Sequence, residues 1–509
     1  MGVDPCQQRY AAVAEMVGVD PASNVTVACQ FSNISYVDAL WKVYLNAQPL
    51  AQVDVPWADW GGCDPPNRAP YSPAGAGGSF HMEQFSNLWW ANHVMAVMNE
   101  AVQKRRPWNL YRFGGLGQQR YPVGFSGDTF QHFLTLQWEA ETVASAANVV
   151  FPYWSYDIGG YMCSASDNCD ANTTSFTGSE LLVRWYQFGV FSPIFRTHCR
   201  QCERRIWLFP YYQHLKDALV MRNALFPYLY SEARATYDSG VAALHPMYYE
   251  WPEVEESYSV AGQYLLGGSR VLVAPITAAA PLGADGRPGA AIKSVWLPPG
   301  AWSAWNGTAV AAGPAWLPPA AYGLGDVPVF ATAGALLPLK TMDSVDTGAG
   351  PPDPLVWAAF PPAAAPFISA PYALYEDDGA SLDYAASGSA SSTLTAAAWA
   401  LDSAGRASLE VQPRAGAGFA GARSIRTHWL QLRGRAAPPA GQPPAAVAVN
   451  GASVPACSGG APPAASDPAC WWRVAAANHS LAAPEGSLVV STGPLAVSAA
   501  ATVEVCCAA

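Results

Sequence analysis

Charge is scarce in this chain. Only 13% of its 509 residues are Asp, Glu, Lys or Arg, and the formal balance is −11. No run of Lys or Arg offsets that deficit. A net acidic chain repels nucleic acid and anionic lipid, so neither is an expected partner and a neutral substrate fits better. Long apolar runs are missing too. No stretch approaches the roughly 18 residues of a spanning helix, so no membrane insertion is expected. The N-terminus, Met1-Gly-Val-Asp-Pro-Cys6, lacks the basic region and apolar run of a signal peptide. Paired metal-ligand spacing is also missing. Cys199-Arg-Gln-Cys202 has no second pair to complete a zinc site, so a disulfide or free thiols are expected there.

Half of the residues are hydrophobic, enough for several buried cores, and the length suggests two to four domains. The 20 Trp and 23 Tyr supply flat faces on which sugars stack, although packing in the core accounts for most such residues. Asn-X-Ser/Thr sequons stand at Asn24, Asn33, Asn172, Asn306 and Asn478. Of the 11 cysteines, Cys163 with Cys169 and Cys457 with Cys470 sit at the spacing of short disulfide loops. Sequons and cysteines together point to the secretory route or the cell exterior. An odd count leaves at least one thiol over.

The first ~245 residues alternate strand-like runs with helical periodicity, the pattern of a parallel α/β sheet. Strands are expected at 53–60, 108–112, 149–156, 189–197 and 244–249. Helices are expected at 131–147 and 179–187, with one long helix from Tyr211 to Asp238. Another, capped by Ser86, places Ala91, Met95, Met98 and Val102 on its apolar face. Ahead of Val53 two helical stretches, 7–17 and 36–46, are visible and no strand. Five βα units in a row suggest an incomplete (β/α)8 barrel. Beyond Ile276 the helical period gives way to short strands between Pro, Gly and Ala, which reads as two β-sandwiches. The expected domains are a catalytic barrel portion at 1–245, a proximal sandwich at 246–340 and a distal one at 341–509.

Barrel enzymes place reactive groups at the C-terminal ends of their strands. Four successive strands here end in Asp59, Arg112, Asp157 and His198, which suggests one shared site. Strand parity puts Asp59 on the face of Val53, Val55 and Trp57, and Asp54 on the other. The loop after Arg112 is rich in glycine and carries Asp128. Gly114 to Gly117 alone could suggest a phosphate cradle, but no Lys-Ser/Thr follows. Asp128 has a simpler reading as the cap of the helix at Gln131. Two carboxylates, an Arg, a His and many Trp suit glycoside hydrolysis, in which one carboxylate attacks the anomeric carbon and the other first protonates the leaving oxygen and then activates water. Arg112 and His198 would bind hydroxyls, and Arg112 would help keep the nucleophile ionised.

These segments resemble glycoside hydrolase family 31, the α-glucosidase and α-xylosidase family. Val53-Asp-Val-Pro-Trp-Ala-Asp59-Trp is similar to its nucleophile strand, Arg112 to Asp128 to its acid/base loop, and Trp154 to Tyr161 to the following strand end. Phe188 to His198 resembles the strand whose His binds the sugar. Leu225 to Tyr230, Pro246 to Glu250 and Tyr375 to Gly379 fit the end of the barrel and the C-terminal domains. The resemblance implies a retaining exo-acting α-glycosidase on an oligosaccharide or glycoside, with no metal and no cofactor. It makes Asp59 the nucleophile and Asp128 the acid/base, with Arg112, Asp157, His198, Trp57 and Tyr161 binding the substrate. Pro56, Ala58, Gly61-Gly-Cys63 and Tyr156 depart from the family pattern beside the pocket, which bears on substrate choice. An α-glucosyltransferase, an α-xylosidase or a non-catalytic sugar-binding remnant remain as alternatives. Family members carry an N-terminal β-sandwich and the first barrel strands before this point, so a fragment is expected, with its barrel open beside Val53 and Val55. The Asp59 and Asp128 carboxyls are expected about 5–6 Å apart, the spacing of a nucleophile and acid/base pair. Oligomeric state is not readable.

Overall fold

The computed structural model describes residues 2–28, 34–45, 57–58, 96, 100–101, 103–112, 118–121, 123–162, 176–200, 202–268, 270–341, 350–385, 391–434, 444–457, 462, 464–473 and 487–506. Asp59, Val53, Val55, the capping Ser86, Gly114 to Gly117, and the Cys163 and Cys169 pair lie outside these residues. The chain divides into two compact units. The first holds residues 1–127, 148–156 and 380–382, and the second holds the rest.

In the first unit, β1 (Gly2–Val3) pairs antiparallel with β2 (Val27–Ala28), a small ribbon where only helices were expected. Two-residue strands carry too little alternation to be read from sequence. Helix α1 (Tyr10–Met16) buries Tyr10, Val13 and Ala14, the i, i+3, i+4 stripe of a helix with one inward face. Helix α2 (Ile34–Leu40) runs on into a π turn at Trp41–Leu45. A parallel ladder follows. β3 (Trp57–Ala58) pairs with β4 (Leu110–Tyr111), β4 with β5 (Gly124–Phe125), and β5 with Trp154 and Ser155 of β6 (Trp154–Ile158). Gly124 lets the ladder close. A Cβ there would lie 2.5 Å from the Phe151 ring.

The second unit takes over at Asp157 and Ile158. Helix α3 (Phe133–Asn148) buries Leu136, Glu139, Ala140, Val143 and Ala147, again one face. The Glu139 carboxylate accepts from the indole of Trp185 at 2.6 Å. Helix α4 (Phe176–Val190) is buried throughout its second half. It is longer than expected and includes Gly189 and Val190, which had read as strand. A short apolar run fits a buried helix as well as a strand. β7 (Ile194–Thr197) starts only after Pro193. The long helix expected at 211–238 is two: α5 (Tyr212–Ala224) and α6 (Phe226–Ser239). Pro227 lacks an N–H and its ring clashes with the turn before it, so the first helix ends there. Gly240, at φ 77°, closes the second. After β8 (Leu244–His245), Pro246 stops the strand and a 3-10 turn replaces its expected second half.

Beyond this, β9 (Tyr264–Leu266), β10 (Val271–Val273), β11 (Ala291–Ala304), β12 (Val310–Tyr322) and β13 (Val329–Thr332) form a six-stranded sheet with β8. Its order is β12-β11-β13-β10-β9-β8. Leu265, Leu272, Val295, Leu297, Trp302 and Phe330 make its core. The remaining strands are β14 (Leu336–Lys340), β15 (Leu355–Ala359), β16 (Phe367–Ile368), β17 (Tyr372–Asp377), β18 (Ser392–Leu401), β19 (Ala407–Val411), β20 (Ile425–Leu432), β21 (Ala446–Val449), β22 (Ala452–Ser453), β23 (Cys470–Arg473), β24 (Leu488–Ala496) and β25 (Ala501–Cys506). They build a five-stranded sheet, β14-β15-β20-β24-β23. A second sheet runs β16-β18-β19-β25-β21-β22, with β17 also on β18. The expected disulfide Cys457–Cys470 is formed, and Cys199 pairs with Cys202. Arg426 of β20 grips Glu376 of β17 through two hydrogen bonds of 2.9 and 2.7 Å, both side chains buried. Among the described residues no helix is long and apolar enough to cross a membrane.

Candidate active site

Asp157 is the penultimate residue of β6, fully buried, and His198 follows the last residue of β7. The backbone sets their pairing. The His198 N–H donates to the Ile158 carbonyl at 3.1 Å, so the two strand ends stand side by side. Arg196 lies two residues before His198 and therefore on the same face. Its guanidinium donates to Asp157 Oδ1, and its second arm reaches His198 Nδ1 at 2.7 Å. Arginine has no acceptor, so Nδ1 must accept, and the ring proton belongs on Nε2. That nitrogen faces Asp157 Oδ2 at 3.9 Å. Arg196 thus fixes both the tautomer and the orientation of the imidazole. Its place in the motif was visible from sequence, and the parity that puts it beside His198 could have found it, but it was not singled out.

Asp128 joins this pair. Asp128, Asp157 and His198 offer oxygen and nitrogen atoms that all lie within 4.8 Å of one another. The expected alternative for Asp128, a helix cap, is not what forms. Helix α3 begins five residues later, and its first turn is capped by His132, whose Nδ1 accepts from the Leu134 N–H at 3.0 Å. The chain after Asp128 is instead laced to the loop after β6. The Tyr161 and Met162 N–H groups donate to the Thr129 carbonyl at 2.7 and 2.9 Å, and the Gln131 N–H donates to the Met162 carbonyl at 3.0 Å. Gly160, at φ 74°, allows that approach, since a Cβ would fall 2.9 Å from the Gln131 nitrogen. Tyr161 stands over His198 with ring centroids 4.7 Å apart. Two carboxyls and an imidazole are also a metal-ligand set. The guanidinium of Arg196 among them opposes a cation and favours neutral, hydroxyl-bearing ligands.

In the first unit, Phe125 links the two other predicted residues. Trp57, half exposed, meets it edge-on at 5.8 Å, and the Arg112 guanidinium lies over its ring at 5.1 Å. The Arg112 side chain also presses on Gly127, at φ 81°, where a Cβ would lie 2.7 Å from Nη1. Sequence reasoning missed Phe125, whose only signal was an aromatic residue in the glycine-rich loop. Asp59 and the carboxyl spacing expected of it lie outside the described residues.

Comparison with known proteins follows the same lines. The family model "Glycosyl hydrolases family 31 TIM-barrel domain" matches residues 8–232, and "Glycosyl hydrolase family 31 C-terminal domain" matches residues 240–337. The chain belongs to glycosyl hydrolase family 31, with its barrel domain followed by C-terminal β-domains. Among curated relatives, neutral alpha-glucosidase C of Mus musculus is 29% identical over 321 residues, 60% of this chain and 32% of the relative. The alpha-xylosidase of Saccharolobus solfataricus is 26% identical over 290 residues, 56% of this chain and 36% of the relative. The chain therefore spans about a third of the length of these relatives. Among solved structures, a dextranase of Flavobacterium johnsoniae complexed with glucose superposes with a TM-score of 0.71 at 22% identity. The match covers 95% of this chain and 56% of that one, a likeness of fold. An alpha-xylosidase of Xanthomonas citri gives a TM-score of 0.63 at 26% identity over 80% of this chain and 43% of that one.

Proposed function

We propose that this protein is a retaining, exo-acting α-glycosidase that hydrolyses α-glucosidic bonds of oligosaccharides. The observation that carries the reading is the convergence of Asp128, Asp157 and His198 at barrel strand ends in a family 31 chain. Asp59 attacks the anomeric carbon while Asp128 gives its proton to the leaving oxygen. Water then attacks the glycosyl-Asp59 ester, losing its proton to Asp128, and the ester bond breaks. Asp157, His198 and Arg112 bind the hydroxyls of the sugar, with Trp57 and Tyr161 as walls. The two carboxyls work at about 5–6 Å, too close for a water between them. The catalytic portion is assigned to 1–245, with β-domains at 246–340 and 341–509. The disulfides and the exposed sequons Asn24 and Asn306 support a secreted or lumenal setting.

The test is hydrolysis of an aryl α-glucoside by the wild type and by Asp59→Ala. Unchanged turnover in the variant removes Asp59 from the role. α-Xylosidase activity is the second reading, favoured by alpha-xylosidase relatives in both sequence and structure. Comparing xyloside with glucoside separates them. An isomaltosyltransferase of Sporosarcina globispora, 27% identical over 268 residues, motivates a check for transfer. Re-linked products from concentrated maltose would favour transfer over hydrolysis.

A further inference from the structure

Arg204 fastens the ends of β6 and β7 to each other. Its Nε donates to the His198 carbonyl at 3.0 Å. Its Nη2 donates to the carbonyls of Gly159 at 2.6 Å and Gly160 at 3.3 Å, while Nη1 reaches the Glu203 carbonyl at 2.7 Å. One planar fork thus spans the backbone just beyond Asp157 and the backbone of His198 itself. Room for it depends on Gly159. This residue stands at φ 91°, and a Cβ there would lie 2.6 Å from Nε and 2.7 Å from Nη2. The segment that delivers Arg204 is short and closed. Cys199 and Cys202 are bonded, and Gln131 Nε2 donates to Cys202 Sγ at 2.8 Å.

These contacts bear on distance. His198 Nε2 and Asp157 Oδ2 stand 3.9 Å apart, and that gap is set by how the two strand ends lie. Arg196 orients the side chains, but it is carried on β7 itself and moves with it. Arg204 holds the backbone on both sides. A displacement of about 1 Å can cost on the order of 100-fold in rate, and a sugar held between two groups loses hydrogen bonds as their separation shifts. We propose that Arg204 is a positioning residue, which fixes Asp157 and His198 at the separation needed to grip the sugar between them. The proposal rests on the reading of these two residues as sugar binders. Lysine cannot replace it, because a point charge with rotating donors does not span two strand ends in one plane.

The experiment uses the full chain and an aryl α-glucoside, with Arg204→Met, Arg204→Lys, Gly159→Ala, the double variant Gly159→Ala/Arg204→Met, and Arg205→Met as control. Kinetic constants are taken per folded enzyme, with thermal unfolding recorded for each. The expected result for Arg204→Met is a kcat/KM lower by about 10–100-fold, carried mainly by KM, as removal of uniform substrate binding requires. Arg204→Lys should stay close to Arg204→Met. Gly159→Ala should give at least as large a loss, since a Cβ there displaces the Arg204 fork and also strains the backbone at φ 91°, and the double variant measures how much of that loss runs through Arg204. Arg205 is exposed and paired with Glu203, and its variant should match the wild type. Wild-type KM and kcat in Arg204→Met, or in Arg204→Lys, would overturn the proposal. If Arg204→Met does not fold, Arg204→Lys and Gly159→Ala decide by the same constants. If the wild type is inert on aryl α-glucosides, the functional reading fails first. Glucose affinity by calorimetry, wild type against Arg204→Lys, then decides the positioning role, and equal or undetectable affinities overturn it.

Discussion

Two Arg–carboxylate pairs in the second unit are built to different ends. Arg426 and Glu376 join the two distal sheets, each guanidinium arm meeting its own carboxylate oxygen, with 3% and 9% of the side chains exposed. Arg196 meets Asp157 at Oδ1, and Oδ2 looks toward His198. Arg196 is 24% exposed while Asp157 is fully buried. The first pair is closed on itself and fastens strands. The second is open on one side and holds an imidazole and Asp128 within reach. Burial and ion pairing alone do not mark a functional site. What distinguishes the candidate site is a third and fourth polar group aimed at the same space.

The comparison can be broken most sharply at Asp128. Asp128→Asn should lower kcat/KM on an aryl α-glucoside by about 10²–10⁴-fold while leaving thermal unfolding unchanged, because general acid/base catalysis supplies that range. A fall in melting temperature with turnover intact would place Asp128 with the structural pairs. At the closed pair the expectation reverses. Arg426→Met should destabilise by about 3–5 kcal/mol, read by denaturant unfolding, since it strands a buried carboxylate, and Arg426→Met/Glu376→Leu should regain most of that loss. The matching double change at Arg196 and Asp157 should regain stability yet leave glucose binding undetectable by calorimetry.

Smaller effects sharpen the picture. Replacing Cys457 and Cys470 by Ser opens a loop of sequence separation 13 and should lower stability by about 3 kcal/mol, measured with and without reductant. His428 gives a pH signature. Burial, and next the charge of Arg426, push its pKa down from 6.5 to about 3, and the Trp357 indole donates to its Nδ1 at 3.3 Å, which requires a neutral ring. The folded value lies below the unfolded one. Stability is therefore intact above pH 6.5 and falls by about 1.4 kcal/mol per unit as the pH drops toward 3. His428→Gln should flatten that slope in acid-denaturation curves.

Part of the candidate site was legible because barrel chemistry is periodic. Asp157 and His198 each end an apolar run, and the structure brings them and Asp128 together. What sequence missed was local competition between equally apolar states. Gly189 and Val190 joined a buried helix, Pro227 split one helix into two, and His132 took the cap that Asp128 had been offered. Arg196 and Arg204 escaped notice for another reason. Their partners are a carboxylate, a ring nitrogen and backbone carbonyls, up to 45 residues away, and no pattern along the chain records those.

Residues 380–382 belong to the first unit although they lie between strands of the distal sheets. The Arg106 N–H and Nε donate to the carbonyls of Ala380 and Ser381 at 3.0 and 2.9 Å. Helix α6 is bound the same way. Tyr230 bonds Asp377, Tyr372 bonds Glu232 and the Tyr375 N–H bonds Ser231. The distal region is thus no detachable cassette. A chimera that exchanged only residues after 341 with a relative would replace one partner of each of these bonds, and a graft that keeps them as matched pairs carries 226–240 and the neighbourhood of Arg106 along with 372–384.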